Sequence, residues 1–206
     1  MCNKEISEAT IKRLPVYYRN VCAFESEGFE HITSKLLSEK TGNTDSQVRQ
    51  DFFACGGVPG YNVKELKKWL EEKLGLNSNY KAVLVGAGNL GRAIMSYPDF
   101  CTERFFISAA FDSNLMFEGM QINNIPIMNI KILEQYLLNN DIDIVIIATP
   151  ANAATKIYNI AKKHKIKGVW NFAPIDLKSD DVTFVNNVHL TDNLFMITAH
   201  ITKNQQ

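Results

Sequence analysis

The segment that decides the fold is Lys81-Ala-Val-Leu-Val-Gly86-Ala-Gly88-Asn-Leu-Gly91-Arg-Ala. Its apolar beginning predicts a buried parallel strand, and the G-x-G-x-x-G pattern after it predicts a tight turn into a helix. In dinucleotide-binding turns the first glycine allows the bend, the second lets a pyrophosphate approach the backbone, and the third lets helix and strand pack closely. The free N–H groups at the start of the helix attract an anion. An ordinary glycine turn in an α/β domain is the alternative.

A carboxylate follows the glycine turn at the distance that a ribose contact requires. The second apolar run, Phe105-Phe-Ile-Ser-Ala-Ala-Phe111, ends in Asp112, about 20 residues after Gly91. An acid in this place accepts both hydroxyls of an adenosine ribose. It repels the 2′-phosphate of NADP(H), and no arginine follows in Asp112-Ser-Asn-Leu. The expected cofactor is therefore NAD(H).

Strand and helix patterns alternate from residue 80 to residue 190. We predict strands at 81–86, 104–111, 142–148, 168–172 and 182–185, and helices near 89–98, 129–139 and 151–165. This alternation favours an α/β fold with a doubly wound, parallel, Rossmann-type sheet, which binds ligands at the carboxyl ends of its strands. The predicted cofactor contacts at those ends are Gly86, Ala87, Gly88, Asn89, Leu90, Gly91, Asp112, Thr149, Pro150, Asn171, Ala173 and Pro174.

The preceding residues carry helical patterns without strand alternation. We predict helices over 12–25, 33–42, 44–53 and 63–74, with Pro15 in the first turn of the first helix and Thr44 as N-cap of the third. Two short helices joined by a Gly-bearing turn are typical of a helix-turn-helix. On its second helix, Arg49 and Gln47 suit the reading of guanine or adenine edges, although both also suit a solvated helix.

Composition excludes several classes of protein. The 206 residues hold 22 Lys and Arg against 22 Asp and Glu, so any nucleic-acid contact must come from a local patch. No apolar run is long enough to span a bilayer, and the amino terminus lacks a signal-peptide pattern. The four cysteines and four histidines are scattered without metal-binding spacing. We therefore expect a cytoplasmic protein with free thiols, no metal site and no membrane partner.

Further motifs accompany the glycine turn over nearly the full chain. They are Ile11-Lys-Arg-Leu-Pro-Val-Tyr-Tyr-Arg19, Gln47-Val-Arg49-Gln-Asp51-Phe, Gly60-Tyr-Asn-Val63, Tyr97-Pro, Phe111-Asp112 and Asn171-Phe-Ala-Pro174. Together they resemble the redox-sensing transcriptional repressor family Rex. The resemblance implies a homodimer with a winged-helix DNA-binding domain (1–77), a Rossmann NAD(H)-binding domain (78–190) and a C-terminal helix (191–206) exchanged between subunits. It also implies a repressor that binds double-stranded operator DNA when NADH is scarce and releases it when NADH rises.

The resemblance extends to individual residues. The expected DNA contacts are Lys12, Arg13, Ser46, Gln47, Arg49 and Gln50, with Lys12 and Arg13 on phosphate. Tyr97 is expected on the cofactor side and in an inter-subunit switch together with Arg19 and His189. Tyr97 also suits a helix-end core position, and His189 a structural or surface histidine.

Two departures from the family pattern affect the expected function. The wing, Ala54-Cys-Gly-Gly-Val-Pro-Gly-Tyr61, is about four residues shorter than usual and lacks the Lys or Arg that would contact phosphate. His189 stands where the family often has an aspartate that contacts the residues matched by Arg19 and Tyr97. A histidine does not accept a bidentate pair from arginine, so we expect a rewired or weaker redox switch.

Three functions are compatible with these residues. The first is the redox-sensing repressor. The second is a degenerate family member that binds NAD(H) and dimerises but binds DNA weakly because its wing is short. The third is an NAD-dependent dehydrogenase, which needs an acid–base residue beside the nicotinamide. No His or Lys after Asp112 is placed with a suitable partner, so we predict no catalytic residue and no enzyme.

Overall fold

The computed structural model describes residues 6–58, 60–98 and 104–203. The chain divides into two compact units, Met1–Ser78 and Asn79–Gln206. Cys2, Cys101, Pro59 of the short wing and the last three residues of the predicted C-terminal helix lie outside the described residues. Cys22 and Cys55, which are described, are free thiols.

The first unit is built from α1 (Glu8–Ser26), α2 (Ser34–Thr41), α3 (Asp45–Ala54) and α4 (Val63–Lys73). Ser7, Thr33, Thr44 and Asn62 each cap one of these helices by accepting a hydrogen bond from a first-turn N–H. The predictions for α2, α3 and α4 are confirmed, including Thr44 as N-cap of α3.

The prediction for the start of α1 was wrong. The helix begins at Glu8 and not at Lys12, so Pro15 lies inside it and not in its first turn. The reason is Ser7, whose hydroxyl accepts the N–H of Thr10 at 3.2 Å and so starts the helix earlier. A proline inside a helix removes one hydrogen bond, and packing of the buried face of α1 offsets this loss. That face consists of Leu14, Tyr17, Val21 and Phe24.

Phe52 of α3 is the centre of the first unit's core. Its ring centroid lies 5.4 Å from that of Tyr17 on α1 and 5.4 Å from that of Trp69 on α4, both edge to face. Between α3 and α4 the described residues form no strand, and an isolated bridge pairs His31 with Asn62. The short wing is therefore a loop in its described part.

A buried carboxylate joins α1 to α3. Asp51 of α3 is 2% exposed and accepts hydrogen bonds from three residues of α1 and one of α3. The donors are Thr10 Oγ1 at 3.2 Å, Arg13 Nε at 2.6 Å and Nη2 at 2.7 Å, the Tyr17 hydroxyl at 2.7 Å and Gln47 Nε2 at 2.9 Å. Burial alone raises the pKa of the Asp51 carboxyl, but the hydrogen bonds outweigh it and hold the pKa below its usual value. The charge of Asp51 thus stabilises the folded unit.

The second unit contains a seven-stranded sheet in the order β3-β4-β2-β1-β5-β6-β7. Its strands are β1 (Tyr80–Val85), β2 (Phe105–Asp112), β3 (Gln121–Ile122), β4 (Ile125–Asn129), β5 (Ile144–Ile147), β6 (Gly168–Asn171) and β7 (Phe184–Asn187). All neighbours are parallel except β3 and β4. The five predicted strands are confirmed, with the last shifted toward the C-terminus.

The sequence analysis missed the β3–β4 hairpin. The two strands are joined by Asn123 and Asn124, both with left-handed φ values of 48° and 63°. This two-residue turn suits the right-handed twist of a hairpin. Strands this short show almost no alternation of apolar and polar residues. The sequence signal for the hairpin was the pair Asn123-Asn124, which is typical of a two-residue turn.

Helices cover both faces of the sheet. They are α5 (Asn89–Ser96), α6 (Leu133–Asn139) and α7 (Ala151–Lys163). A further helix, α8 (Leu190–Lys203), follows β7. Leu84 of β1 shares a core with Ile94 of α5, whereas the adjacent Val85 shares the opposite core with Ala154 of α7. This alternation confirms the doubly wound arrangement. None of the residues of α8 is buried.

We expect Asp51→Asn to destabilise the first unit by about 3–5 kcal/mol, because it leaves the Arg13 charge without its buried partner. A carboxyl with a lowered folded pKa contributes stability above its unfolded pKa of about 3.9 and loses that contribution as the pH falls. The acid-induced loss of stability should therefore be smaller in Asp51→Asn.

The measurement is urea unfolding at several pH values, followed by Trp69 fluorescence in a Trp170→Phe background, which leaves one tryptophan in the chain. Asp45→Asn is the matched control, because Asp45 pairs with the exposed Arg49 on the same helix. Asp45→Asn should lower the free energy of unfolding by less than about 1 kcal/mol. Equal costs for the two variants would contradict the assigned role of Asp51.

We expect Gly91→Ala to destabilise the second unit by about 3 kcal/mol or more. A Cβ at Gly91 would lie 1.9 Å from the carbonyl oxygen of Gly86, and a backbone atom cannot move aside as a side chain does. A Cβ at Gly88 meets nothing within 4 Å, so Gly88→Ala is the control. Unfolding is followed by Trp170 fluorescence in a Trp69→Phe background. Equal stability of the two alanine variants would refute the steric argument.

Candidate functional site

A cleft of about 330 Å³ lies at the carboxyl ends of β1, β2 and β5. Five predicted cofactor residues meet there, namely Gly86, Gly88, Asp112, Thr149 and Pro150. The lining also includes Ser113, Asn114, Phe117, Ile130, Ala148 and Ala153, which the sequence analysis did not single out. The carboxyl edge of a parallel sheet is the usual place for a ligand, so this cleft is the first candidate site.

The three glycines of the turn differ in their surroundings. Gly86 has a left-handed φ of 104°, and a Cβ there would lie 2.4 Å from the carbonyl oxygen of Ala148. Gly91 touches the backbone of Gly86, whereas Gly88 faces open space. Gly88 also begins α5 without a side-chain cap, which leaves first-turn N–H groups for an anion. The fold thus requires glycine at positions 86 and 91, whereas Gly88 leaves room for a ligand.

Asp112 is held rigidly at the cleft by the backbone. One carboxylate oxygen accepts the N–H of Ala87 at 2.6 Å, and the other accepts the N–H of Asn114 at 2.7 Å. Each oxygen keeps a further lone pair, so the carboxylate remains able to accept hydroxyl groups. The N–H of Ala87, by contrast, is already occupied by Asp112.

Thr149 supplies an unsatisfied polar atom to the cleft. Its Oγ1 is buried and has no hydrogen-bond partner among the described residues. Such a group costs about 1–3 kcal/mol when it is left unpaired. A polar atom of a bound ligand would satisfy it. This hydroxyl is therefore available to a bound ligand.

Arg92 and Phe117 are two further residues that sequence reasoning missed. Phe117 lines the cleft, and the Arg92 guanidinium lies 5.4 Å from its ring centroid. Arg92 Nη2 also donates to Asn89 Oδ1 at 2.8 Å. A cation next to the glycine turn suits an anionic ligand. Its signal in the sequence was its position directly after Gly91.

Asn171 and Ala173, two of the predicted cofactor contacts, are engaged in hydrogen bonds within the fold. Asn171 is fully buried, and its amide nitrogen donates to the Ile175 carbonyl at 2.7 Å and to Asn187 Oδ1 at 2.9 Å. Its Oδ1 accepts the N–H of Ala173 at 3.1 Å. These bonds fasten the loop after β6 to β7, so neither side chain lines the cleft. Pro174 is exposed and also lies outside the cleft lining.

The three residues of the predicted inter-subunit switch lie in two units. Arg19 is exposed on α1 of the first unit. In the second unit Tyr97 directly follows α5 and is 55% exposed, outside the cleft lining. His189 precedes α8, with its Nε2 2.9 Å from the Asp176 carboxylate. This hydrogen bond raises the pKa of His189.

Helix α3 of the first unit is the second candidate site. Its inward face carries Val48, Asp51, Phe52 and Cys55. Its outward face, which we call the α3 stripe, consists of Ser46, Arg49, Gln50 and Phe53, all exposed. Arg49 forms an ion pair with Asp45 at 2.9 Å and remains 61% exposed. An exposed second helix of a helix-turn-helix is the element that enters a DNA groove.

Two of the predicted DNA contacts, Arg13 and Gln47, belong to the Asp51 network. Arg13 and Gln47 direct their side chains onto Asp51, so both hold α1 and α3 together. Lys12 differs, because its ion pair among the described residues is with the exposed Glu8 at 3.2 Å and it stays 71% exposed. Exposed ion pairs are weak, so Lys12 can exchange Glu8 for phosphate.

The described residues show neither a metal cluster nor a membrane span. No group of three or more His, Cys, Asp or Glu side chains among them is arranged to hold a metal ion. No described helix combines the length and the apolar character that crossing a membrane requires.

Family models and curated relatives match both parts of the chain. Residues 5–52 match the family described as "Putative DNA-binding protein N-terminus", and residues 77–175 match the family described as "CoA binding domain". The redox-sensing transcriptional repressor Rex of Clostridium botulinum is 44% identical over 206 residues, which cover 98% of each chain. The protein of the same name from Clostridium tetani is 40% identical over 207 residues, again covering 98% of each chain.

Solved structures agree with these relatives. The crystal structure of RSP, a Rex-family repressor, matches with a TM-score of 0.91 and 38% identity over 98% of this chain and 96% of that chain. RSP in complex with beta-NAD+ and operator DNA matches with a TM-score of 0.91 and 37% identity over 98% of this chain and 95% of that one. RSP in complex with beta-NADH matches with a TM-score of 0.90 and 38% identity over 97% and 96%. Sequence identity at this level over the whole chain shows that the chain belongs to the redox-sensing transcriptional repressor family Rex.

Proposed function

We propose that this chain is a DNA-binding transcriptional repressor that senses the NADH/NAD+ ratio and leaves its operator when NADH binds. The observation that carries the proposal is the cleft of the second unit, where an open glycine, a fixed carboxylate and an unpaired hydroxyl meet. It occurs in a chain whose first unit presents an exposed helix of a helix-turn-helix. The solved relatives in complex with beta-NADH, and with beta-NAD+ and operator DNA, support the same combination.

The chemistry of the cleft residues suits NAD(H). Gly88 and the first turn of α5 would hold the pyrophosphate, and Asp112 would accept the hydroxyls of the adenosine ribose. Thr149 would satisfy its Oγ1 on a polar atom of the ligand. The nicotinamide differs between the two redox states, because it is charged in NAD+ and neutral in NADH. This difference gives the protein a means to bind the two forms with unequal affinity.

A second copy of the chain completes the second unit. The face of the sheet that carries α5 has an uncovered apolar cavity of about 300 Å³. Its lining includes Phe105, Phe106, Ile107, Ile144, Trp170 and Phe184. The α8 side chains Leu194, Phe195, Met196, Ile197 and Ile201 are all more than half exposed. Two uncovered apolar surfaces on one molecule indicate an interface between copies, so we propose a homodimer with exchanged α8 helices.

DNA recognition would rest on the α3 stripe, with Lys12 on phosphate. Residues 55–62, which connect α3 to α4, contain no Lys or Arg, so α3 must carry most of the contacts. A dimer presents two such helices, so we expect a pseudo-palindromic operator with half-sites spaced by whole helical turns. Since the proposed partner is operator DNA, we propose a cytoplasmic location.

We infer a regulator and not an enzyme. Curated relatives are named as repressors. Among the described residues that line the cleft, Asp112 is the only ionisable side chain, and the backbone already engages both of its oxygens. A dehydrogenase needs a group that exchanges a proton with its substrate.

We expect NADH to bind more tightly than NADPH or coenzyme A in isothermal titration calorimetry. Asp112→Ala should weaken NADH binding by about 1.5–3 kcal/mol, because it removes an ionised acceptor, and should weaken NADPH binding less. Gly88→Ala should weaken NADH about tenfold or more, since its Cβ occupies the open space that the pyrophosphate needs. Tighter binding of NADPH or coenzyme A than of NADH would overturn the cofactor assignment.

Deletion of residues 190–206 should convert the dimer to monomers or aggregates, because it removes α8 and leaves the apolar cavity uncovered. Analytical ultracentrifugation measures the outcome, with deletion of residues 204–206 as the control that keeps α8. A stable monomeric species that retained full operator affinity would contradict the proposed exchange of α8.

The proposed function is tested on an operator that the protein itself selects from a random duplex library. Saturating NADH should lower operator affinity by about fivefold or more relative to saturating NAD+, the usual range of allosteric coupling. The double variant Asp176→Asn, His189→Asp should enlarge this effect, since it restores the carboxylate of the family and removes its negative neighbour. Equal affinities in both cofactors, in both proteins, would leave the degenerate family member as the better description.

A further inference from the structure

Phe53 is an exposed aromatic side chain on a helix that we propose to enter DNA. It is 80% exposed, whereas the adjacent Phe52 is 1% exposed. Among the described residues of the first unit it is the most exposed large hydrophobic side chain. Phe53 therefore contributes little to the core, and any role of this side chain lies at the surface.

The position of Phe53 distinguishes it from a scattered surface hydrophobic, which needs no explanation. It lies seven residues after Ser46, four after Arg49 and three after Gln50, so these residues share one face of α3. The opposite face of the helix packs into the core and carries the Asp51 network. Phe53 is thus the one apolar member of the polar α3 stripe.

The α3 stripe matches the chemistry of a major-groove edge. Arginine reads guanine O6 and N7, glutamine reads adenine, and an apolar side chain contacts the C5-methyl group of thymine. That methyl group is the only apolar feature that the base pairs present in this groove. An aromatic ring among polar groups is therefore suited to thymine.

The spacing along the helix sets the distance between the two contacts. Arg49 and Phe53 are separated along the axis of α3 by about 6 Å, since the rise is 1.5 Å per residue. Bases of one strand follow each other every 3.4 Å. The two side chains thus reach positions one or two base pairs apart.

We propose that Phe53 is a specificity-determining residue that selects a thymine one or two base pairs from the base read by Arg49. This inference rests on the proposed function and adds to it a named base. It also compensates for the wing, because contact with thymine supplies sequence preference where the wing supplies no cation.

The test begins with in vitro selection from random duplexes by the full chain and by Phe53→Ala. The wild-type protein should select a thymine in each half-site, and Phe53→Ala should lose that preference while it keeps the base read by Arg49. Deoxyuridine is then placed at that thymine, which removes only the methyl group. Wild-type affinity should fall about fourfold, the effect of one buried methyl, and Phe53→Ala should not respond.

Ile11→Ala is the matched control, because Ile11 is an exposed apolar residue of α1, outside the α3 stripe. It should keep both the thymine preference and the response to deoxyuridine. Phe53→Leu, which keeps an apolar side chain, should retain part of the response. Circular dichroism and Trp69 fluorescence verify that each variant is folded.

The outcomes separate this inference from the proposed function. If the wild-type protein selects no sequence, DNA recognition itself is refuted. If it selects an operator but Phe53→Ala shows the same thymine preference and the same response to deoxyuridine, the inference is overturned and the repressor stands. A uniform loss of affinity on all sequences would also overturn it, since that result indicates contact with the sugar-phosphate backbone or with another protein.

Discussion

The contact between Gly91 and the carbonyl of Gly86 is the constraint on which the second unit depends. No side chain fits there, so β1 and α5 meet at backbone distance. Since α5 begins at this contact, its free N–H groups, the open side of Gly88 and the carboxylate of Asp112 come together at one edge of the sheet. The hydrogen bond from Ala87 to Asp112 then ties the turn to β2. The cleft is thus formed before any ligand binds.

In the first unit the buried carboxylate of Asp51 has the corresponding role. Asp51 fixes α3 against α1 through hydrogen bonds that span up to 41 residues of sequence. The polar residues of α3 fall into two groups, because Gln47 turns inward to Asp51 while Arg49 pairs with Asp45 and stays exposed. A helix that is both anchored and exposed can be presented to a partner without reorganisation, which lowers the entropic cost of binding.

Turns and helix caps, which depend on residues close together in the chain, could be predicted from the sequence. Hydrogen bonds between residues far apart in the chain could not. The glycine turn, Asp112 at the end of the second strand and the N-cap of α3 depend on neighbours in the chain, and the structure has each where it was predicted. The roles of Arg13 and Asn171 depend on partners that are distant in sequence, Asp51 and Asn187, so an exposed contact was predicted for side chains that are engaged inside the fold. The β3–β4 hairpin was not predicted, because its strands are too short to show the alternation of apolar and polar residues that marks a strand.

The central claim is that one molecule couples the cleft to the α3 stripe. Coupling of two binding sites is reciprocal, so the operator must weaken NADH binding by the factor by which NADH weakens operator binding. The most direct measurement is calorimetric titration of NADH into the free protein and into its complex with the selected operator. We predict a dissociation constant for NADH that is larger in the complex by that factor. An identical constant in both titrations would show that the two sites are independent, and would contradict the account of a redox-sensing repressor.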